Sequence, residues 1–148
     1  MIKRQNLCSQ IKGLRHYVRG IARKLGYLDS KLSHVNVTMP QLHALIEIDK
    51  HKTLTVAKLA KILNLNQSST CRTITSLKKL KLVKTIMLSN DKKQKPVELT
   101  LLGKEKVKEI NNYCGSFYEK ALEQIPKEKH SSILEAFKLY AEALSNIN

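Results

Sequence analysis

The sequence is short of acid. Its 148 residues hold 12 Asp and Glu against 27 Lys and Arg, a formal net charge of +15 with histidine neutral. A surplus of that size attracts polyanions, whether nucleic acid or an acidic membrane face, and by itself says nothing about fold. Long apolar runs are missing too, and nothing approaches the ~18 residues of a membrane-spanning helix. The segment after Met1 carries Lys3, Arg4, Lys12, Arg15 and Arg19, where a signal peptide needs an apolar stretch of about 7–15 residues. No membrane and a cytoplasmic location are the expectation. Cys8, Cys71 and Cys114 are odd in number and form no Cys-x-x-Cys pair, which argues against a disulfide scaffold and against structural zinc. The histidines, His16, His34, His43, His51 and His130, offer no His-x-x-x-His pair with a nearby Glu or Cys, so no metal is expected. A Gly-rich phosphate loop, a nucleophile motif and a recognisable acidic pair are all lacking. The chain therefore reads as no enzyme, with no cofactor.

What is present is a globular composition, 42% hydrophobic, in a chain long enough to bury roughly 70% of its unfolded surface. The charge is unevenly spread. Residues 52–106 hold 13 Lys and Arg against 3 Asp and Glu, whereas residues 107–148 hold 5 against 6. The middle of the chain is the polyanion-facing part, and the near-neutral tail is suited to packing against protein.

Periodicity supplies the elements. Leu7, Ile11, Leu14, Val18, Ile21, Ala22 and Leu25 recur at three and four, an amphipathic helix over Leu7–Leu28 that Gly26 ends. A connector reaching Val37 follows, with one more turn around Leu28–Leu32. Thr38-Met39-Pro40-Gln41 has capping-box spacing, with Pro in the first turn and Val37 and Leu42 placed as a hydrophobic staple, so a helix runs from Met39 to about Lys50. Thr55 caps a short helix through Leu63. Asn64 tolerates the left-handed turn that follows, and Asn66 caps a helix from Gln67 to about Lys81, with Ile74, Leu77 and Leu80 as its buried stripe. Val83–Met87 and Val97–Thr100 read as two strands around the polar turn Ser89–Lys95. Thr100 caps a long helix that breaks near Pro126, and a last helix carries Ile133, Leu134, Phe137, Tyr140, Ala141 and Leu144.

Short helix, tight turn, helix, then basic hairpin is the winged helix-turn-helix order, whose second helix can enter a DNA major groove. The fold class is mainly α with a small β-hairpin wing (α+β).

Several segments resemble the MarR (multiple antibiotic resistance regulator) family of bacterial transcription regulators. Thr38-Met39-Pro40-Gln41-Leu42 is similar to its Leu-Thr-x-x-Gln helix start. Val56-Ala57-Lys58-Leu59-Ala60 and Leu63-Asn64-Leu65-Asn66-Gln67-Ser68-Ser69 resemble its Glu-Leu-Ala and Leu-Gly-Leu-Ser segments. Asp91-Lys92-Lys93 with Leu99-Thr100-Leu101-Leu102-Gly103 resembles its wing and the start of its long fifth helix. The resemblance implies one MarR-type domain over residues 1–148, with dimerisation helices at 1–37 and 101–148 and a DNA-binding lobe at 38–100. It also implies a cytoplasmic homodimer on a palindromic double-stranded DNA operator, and repression relieved by a small-molecule effector or an oxidant. The chain departs from the pattern in places. Where the family's recognition helix reads Thr-Arg-Leu-Val-Asp-Arg-Leu, residues 71–77 read Cys-Arg-Thr-Ile-Thr-Ser-Leu, the usual Gly before the first wing strand is Lys81, and the wing-tip Arg is Lys93.

Within that frame Gln67, Ser68, Ser69 and Arg72 are candidates for reaching base edges, since Arg suits guanine and Gln suits adenine. Thr73 faces outward beside them. Lys92, Lys93 and Lys95 are placed for phosphate or the minor groove, and Thr55 and Thr70 for hydrogen bonds to phosphate. The resemblance places effectors between the dimer helices and the DNA-binding lobe, which makes His16, Tyr17 and His43 the candidate pocket. Leu7-Cys8 is similar to the peroxide-sensing branch, so Cys8 is the candidate redox residue, although Met39 and Leu42 stand where that branch has tyrosines. Two rival readings remain: a non-specific architectural DNA-binding protein, and an interaction module whose basic face meets RNA or an acidic partner.

Overall fold

Local hydrogen-bond chemistry sets where the helices begin. In the computed structural model, which describes residues 2–26, 35–86 and 95–147, helix α2 (Met39–His51) opens with a complete capping box: Thr38 Oγ1 accepts from the Gln41 N–H at 3.4 Å and Gln41 Oε1 accepts from the Thr38 N–H at 2.9 Å. Val37 and Leu42, the two staple residues, are both buried. Thr55 caps α3 (Val56–Ile62) and Asn66 caps α4 (Gln67–Lys79) by accepting backbone N–H groups of Lys58 and Ser69. Asn64 sits between them at φ 52°, the left-handed turn its side chain tolerates. The first helix, α1 (Ile2–Lys24), starts earlier than the apolar period suggests and ends before Gly26 at φ 72°.

The wing strands β2 (Val83–Thr85) and β3 (Val97–Leu99) pair antiparallel, with Lys84 opposite Glu98 and an ion pair of 2.9 Å between them. A third strand, β1 (Thr53–Leu54), was not expected. It pairs with the other edge of β3, giving the order β1-β3-β2. The expected Met87 and the whole turn from Ser89 to Gln94 lie outside the described residues, as does the turn expected at Leu28–Leu32.

The chain divides into two compact units, Met1–Tyr113 and Cys114–Asn148. In the first, Leu45 and Ile48 of α2, Leu59 of α3, Ile74 and Leu77 of α4, Val97 of β3 and Ile110 of α5 (Leu101–Glu123) form one core. Leu80 does not join it. α4 stops at Lys79, and Leu80, as its C-cap, leaves the helical stripe and is exposed. At the lead-in to α5, Thr100 Oγ1 donates to the Lys81 carbonyl at 2.7 Å and accepts from the Gly103 N–H at 3.0 Å. A Cβ on Gly103 would stand 2.0 Å from the Leu82 carbonyl oxygen, so only glycine lets this turn of α5 seat there. Lys106 donates to the Val35 carbonyl at 3.3 Å and also pairs with Glu109.

The second unit holds the rest of α5, a 3-10 turn (Lys127–Lys129) and α6 (His130–Ser145). His130 Nε2 lies 3.0 Å from both the Leu122 and Ile125 carbonyls; since carbonyls only accept, Nε2 carries the proton and caps the end of α5. No described helix is long and apolar enough to cross a membrane.

Candidate nucleic-acid interface

Helix α4 presents one open stripe. Its buried side holds Thr70, Ile74 and Leu77, at the i, i+4, i+7 spacing of a single helix face. The opposite side, lined by Ser68, Cys71, Arg72, Thr75, Ser76 and Lys79, forms a shallow depression of about 460 Å³. A second and larger depression, about 560 Å³, lies where the starts of α3 and α4 meet the approach to β3. Thr55, Gln67 and Lys95 line it, together with Lys58 and Lys61. Among the described residues no Asp or Glu lines either one.

The structure thus brings together Gln67, Thr55 and Lys95 in one place, and Ser68 and Arg72 in the other. Lys58, Lys61 and Lys79 belong with them, and none of the three is among the DNA contacts expected from the sequence. Spacing carries the signal for Lys79, which stands at i+7 from Arg72 on the same face. Ser69 and Thr73 lie half-buried on one flank of α4, and the Thr73 hydroxyl donates to the Ser69 carbonyl at 3.1 Å. Thr55 is half-buried and occupied as the cap of α3.

Thr70 is a correction. It is completely buried, and its hydroxyl donates to the Asn66 carbonyl at 3.1 Å, so it packs in the core and reaches no phosphate. A threonine that satisfies its hydroxyl within its own helix can occupy an apolar stripe at small cost. Lys92 and Lys93 lie outside the described residues.

The candidate effector residues do not converge among the described residues. His16 and Tyr17 make an edge-to-face ring contact at 5.4 Å on α1, both exposed. His43 lies on α2, in a different depression of about 370 Å³ that it shares with Pro40, Glu47, Ile62, Leu63 and Leu65. Cys8 and Cys71 are exposed free thiols; Cys114 is half-buried, and its burial pushes the thiol up from its ordinary value. Among the described residues no group of His, Cys, Asp and Glu stands close enough to hold a metal ion.

A further cross-link fixes α4 from behind. Gln41, buried at the start of α2, donates from Nε2 to Ser76 Oγ at 2.8 Å while its Oε1 serves the capping box.

Two helices at a tight turn, a three-stranded sheet ending in a hairpin, and an exposed basic stripe on the second helix define a winged helix-turn-helix protein. Residues 35–94 match the MarR family's model. No curated protein matches the chain significantly. Among solved structures, FabT from Streptococcus pneumoniae in complex with DNA is similar at TM-score 0.80 and 12% identity, over 93% of this chain and 99% of that one. Wild-type apo MarR from E. coli is similar at TM-score 0.70 and 21% identity, over 87% and 95%. NadR in complex with 4-hydroxyphenylacetate is similar at TM-score 0.71 and 25% identity, over 92% of each chain. Over residues 35–94 the chain is thus similar to the MarR family, and it shares the winged helix-turn-helix fold of these solved structures.

Proposed function

We propose that this chain is a sequence-specific double-stranded DNA-binding transcription regulator, acting as a homodimer on a palindromic operator and without catalysis of its own. The observation that carries the reading is the exposed α4 stripe, where Arg72 and Lys79 open to solvent with no carboxylate beside them among the described residues, next to the Lys58, Lys61 and Lys95 depression. A helix fits a major groove about 12 Å wide, and lysines flanking it reach the phosphates. Arg72, Gln67, Ser68 and Ser69 read bases; Thr73 borders them. Lys95, with Lys92 and Lys93 of the wing, meets phosphate or the minor groove.

Residues 38–100 form the DNA-binding lobe, and residues 1–37 and 101–148 pair two chains. Supporting that division, α1 and α6 carry apolar residues that their own chain leaves exposed. Binding represses transcription until a small molecule or an oxidant acting at Cys8 releases it; the aromatic acid bound by NadR supports the first of these triggers.

Selection of random duplex DNA by the purified protein near physiological salt tests the reading. Enrichment of a palindrome with half-sites about 10 bp apart is expected. Salt-sensitive binding with no enriched sequence would instead assign the chain to architectural DNA binding.

A further inference from the structure

We propose that Ser76 donates a hydrogen bond to a DNA phosphate, and that Gln41 is the positioning residue that holds its hydroxyl in the donating orientation. The inference rests on the DNA-binding reading above and adds to it a contact and the device that orients it.

Which atoms can donate fixes the direction of each bond around Gln41. A backbone N–H only donates, so the Gln41 amide atom 2.9 Å from the Thr38 nitrogen must be Oε1. The other amide atom is then Nε2, which also only donates, and it lies 2.8 Å from Ser76 Oγ. The serine oxygen is therefore an acceptor toward α2, and its own proton must point elsewhere. Helix hydroxyls ordinarily turn back to the carbonyl four residues earlier. Thr70, Thr73 and Thr75 do so, at 3.1, 3.1 and 2.9 Å. Among the described residues Ser76 makes no such bond to the Arg72 carbonyl. Ser76 lines the open depression on α4 between Arg72 and Lys79, so an acceptor arriving beside it meets two cations and the Ser76 hydroxyl proton. That set suits an anionic oxygen. Because Ser76 is half-buried at the α2 margin of the stripe, not at its centre, the oxygen is assigned to the sugar-phosphate backbone, where serine contacts are common.

The test measures the affinity of the full-length protein for its selected duplex and for a random duplex of equal length, with melting temperatures alongside. Ser76→Ala is expected to weaken both duplexes roughly a hundredfold, about tenfold for the hydrogen bond to a charged acceptor lost from each of the two protomers. Ser76→Thr keeps a hydroxyl and is expected to bind like the wild type. Gln41→Glu still accepts from the Thr38 N–H and preserves the cap, but it takes the serine proton for itself. It is expected to lose as much affinity as Ser76→Ala, and the double variant Gln41→Glu/Ser76→Ala to lose no more than either alone. Multiplied losses in the double variant would show that the added charge acts directly and would overturn the role of Gln41. A Ser76→Ala protein that binds both duplexes as the wild type does would overturn the contact, and a loss confined to the selected duplex would overturn its assignment to phosphate. A wild-type protein that binds no duplex at all would overturn the DNA-binding reading and this contact together.

Discussion

Two regions of the molecule treat their apolar side chains in opposite ways. In the lobe, Ala44, Leu45, Ile48 and Leu77 are at 0% exposure, whereas on α1 Leu7, Ile11, Leu14, Val18 and Ile21 stand at 40–55% and on α6 Leu134, Phe137 and Leu144 at 50–73%. Both regions have the periodicity of amphipathic helices. The lobe has neighbours within its own chain to close over the stripe. Among the described residues nothing closes over the stripe of the terminal helices, which is the pattern of a surface awaiting a partner. One chain thus completes the part assigned to DNA and leaves open the part assigned to pairing.

That contrast can be broken first where the start of α5 seats against the lobe. Gly103→Ala forces a Cβ into the Leu82 carbonyl, 2.0 Å away, and should cost about 3 kcal/mol or more because neither partner is a flexible side-chain end. Chemical denaturation reads the loss directly, and a change below about 1 kcal/mol would mean that α5 does not need this close seat. On the other side, Leu14→Glu places a charge in the exposed stripe of α1. It should separate the chains and weaken binding to a full palindrome roughly a hundredfold through lost bivalency, while the lobe keeps its helical circular dichroism. Sedimentation showing an unchanged dimer would remove α1 from the pairing surface. The smallest effect sharpens the comparison from within the lobe. Lys81 holds φ 58° just before β2, a backbone conformation that glycine adopts freely, so Lys81→Gly should raise stability by about 1 kcal/mol. A lower melting temperature would show that the lysine side chain contributes more than its backbone strain costs.

The elements legible in the sequence are those fixed by short-range chemistry. Thr38, Thr55, Asn66 and Thr100 each satisfy a backbone N–H three residues on, so residue type and spacing are enough to locate the helix starts. Asn64 declares its turn for the same reason. What escaped depends on distant partners or on where a pattern stops. β1 is two residues long and exists only because Thr53 and Leu54 find Glu98 and Val97. Leu80 continues the apolar period of α4 in sequence, but the helix ends one residue earlier. Thr70 looked like a surface hydroxyl, yet it lies four residues before Ile74 on the buried face, a register the sequence already carried. The Gln41–Ser76 bond spans 35 residues, and no local pattern announces it. The basic character of the site was visible as charge; its division into two depressions required the turn between α3 and α4.

The most direct test of the account is the stoichiometry of the complex, measured by native mass spectrometry of the protein with a duplex carrying one selected palindrome. Two chains per duplex, falling to one when half of the palindrome is scrambled in the Leu14→Glu protein, is the predicted result. A single wild-type chain on the intact palindrome, or loading that grows with duplex length regardless of sequence, would contradict it.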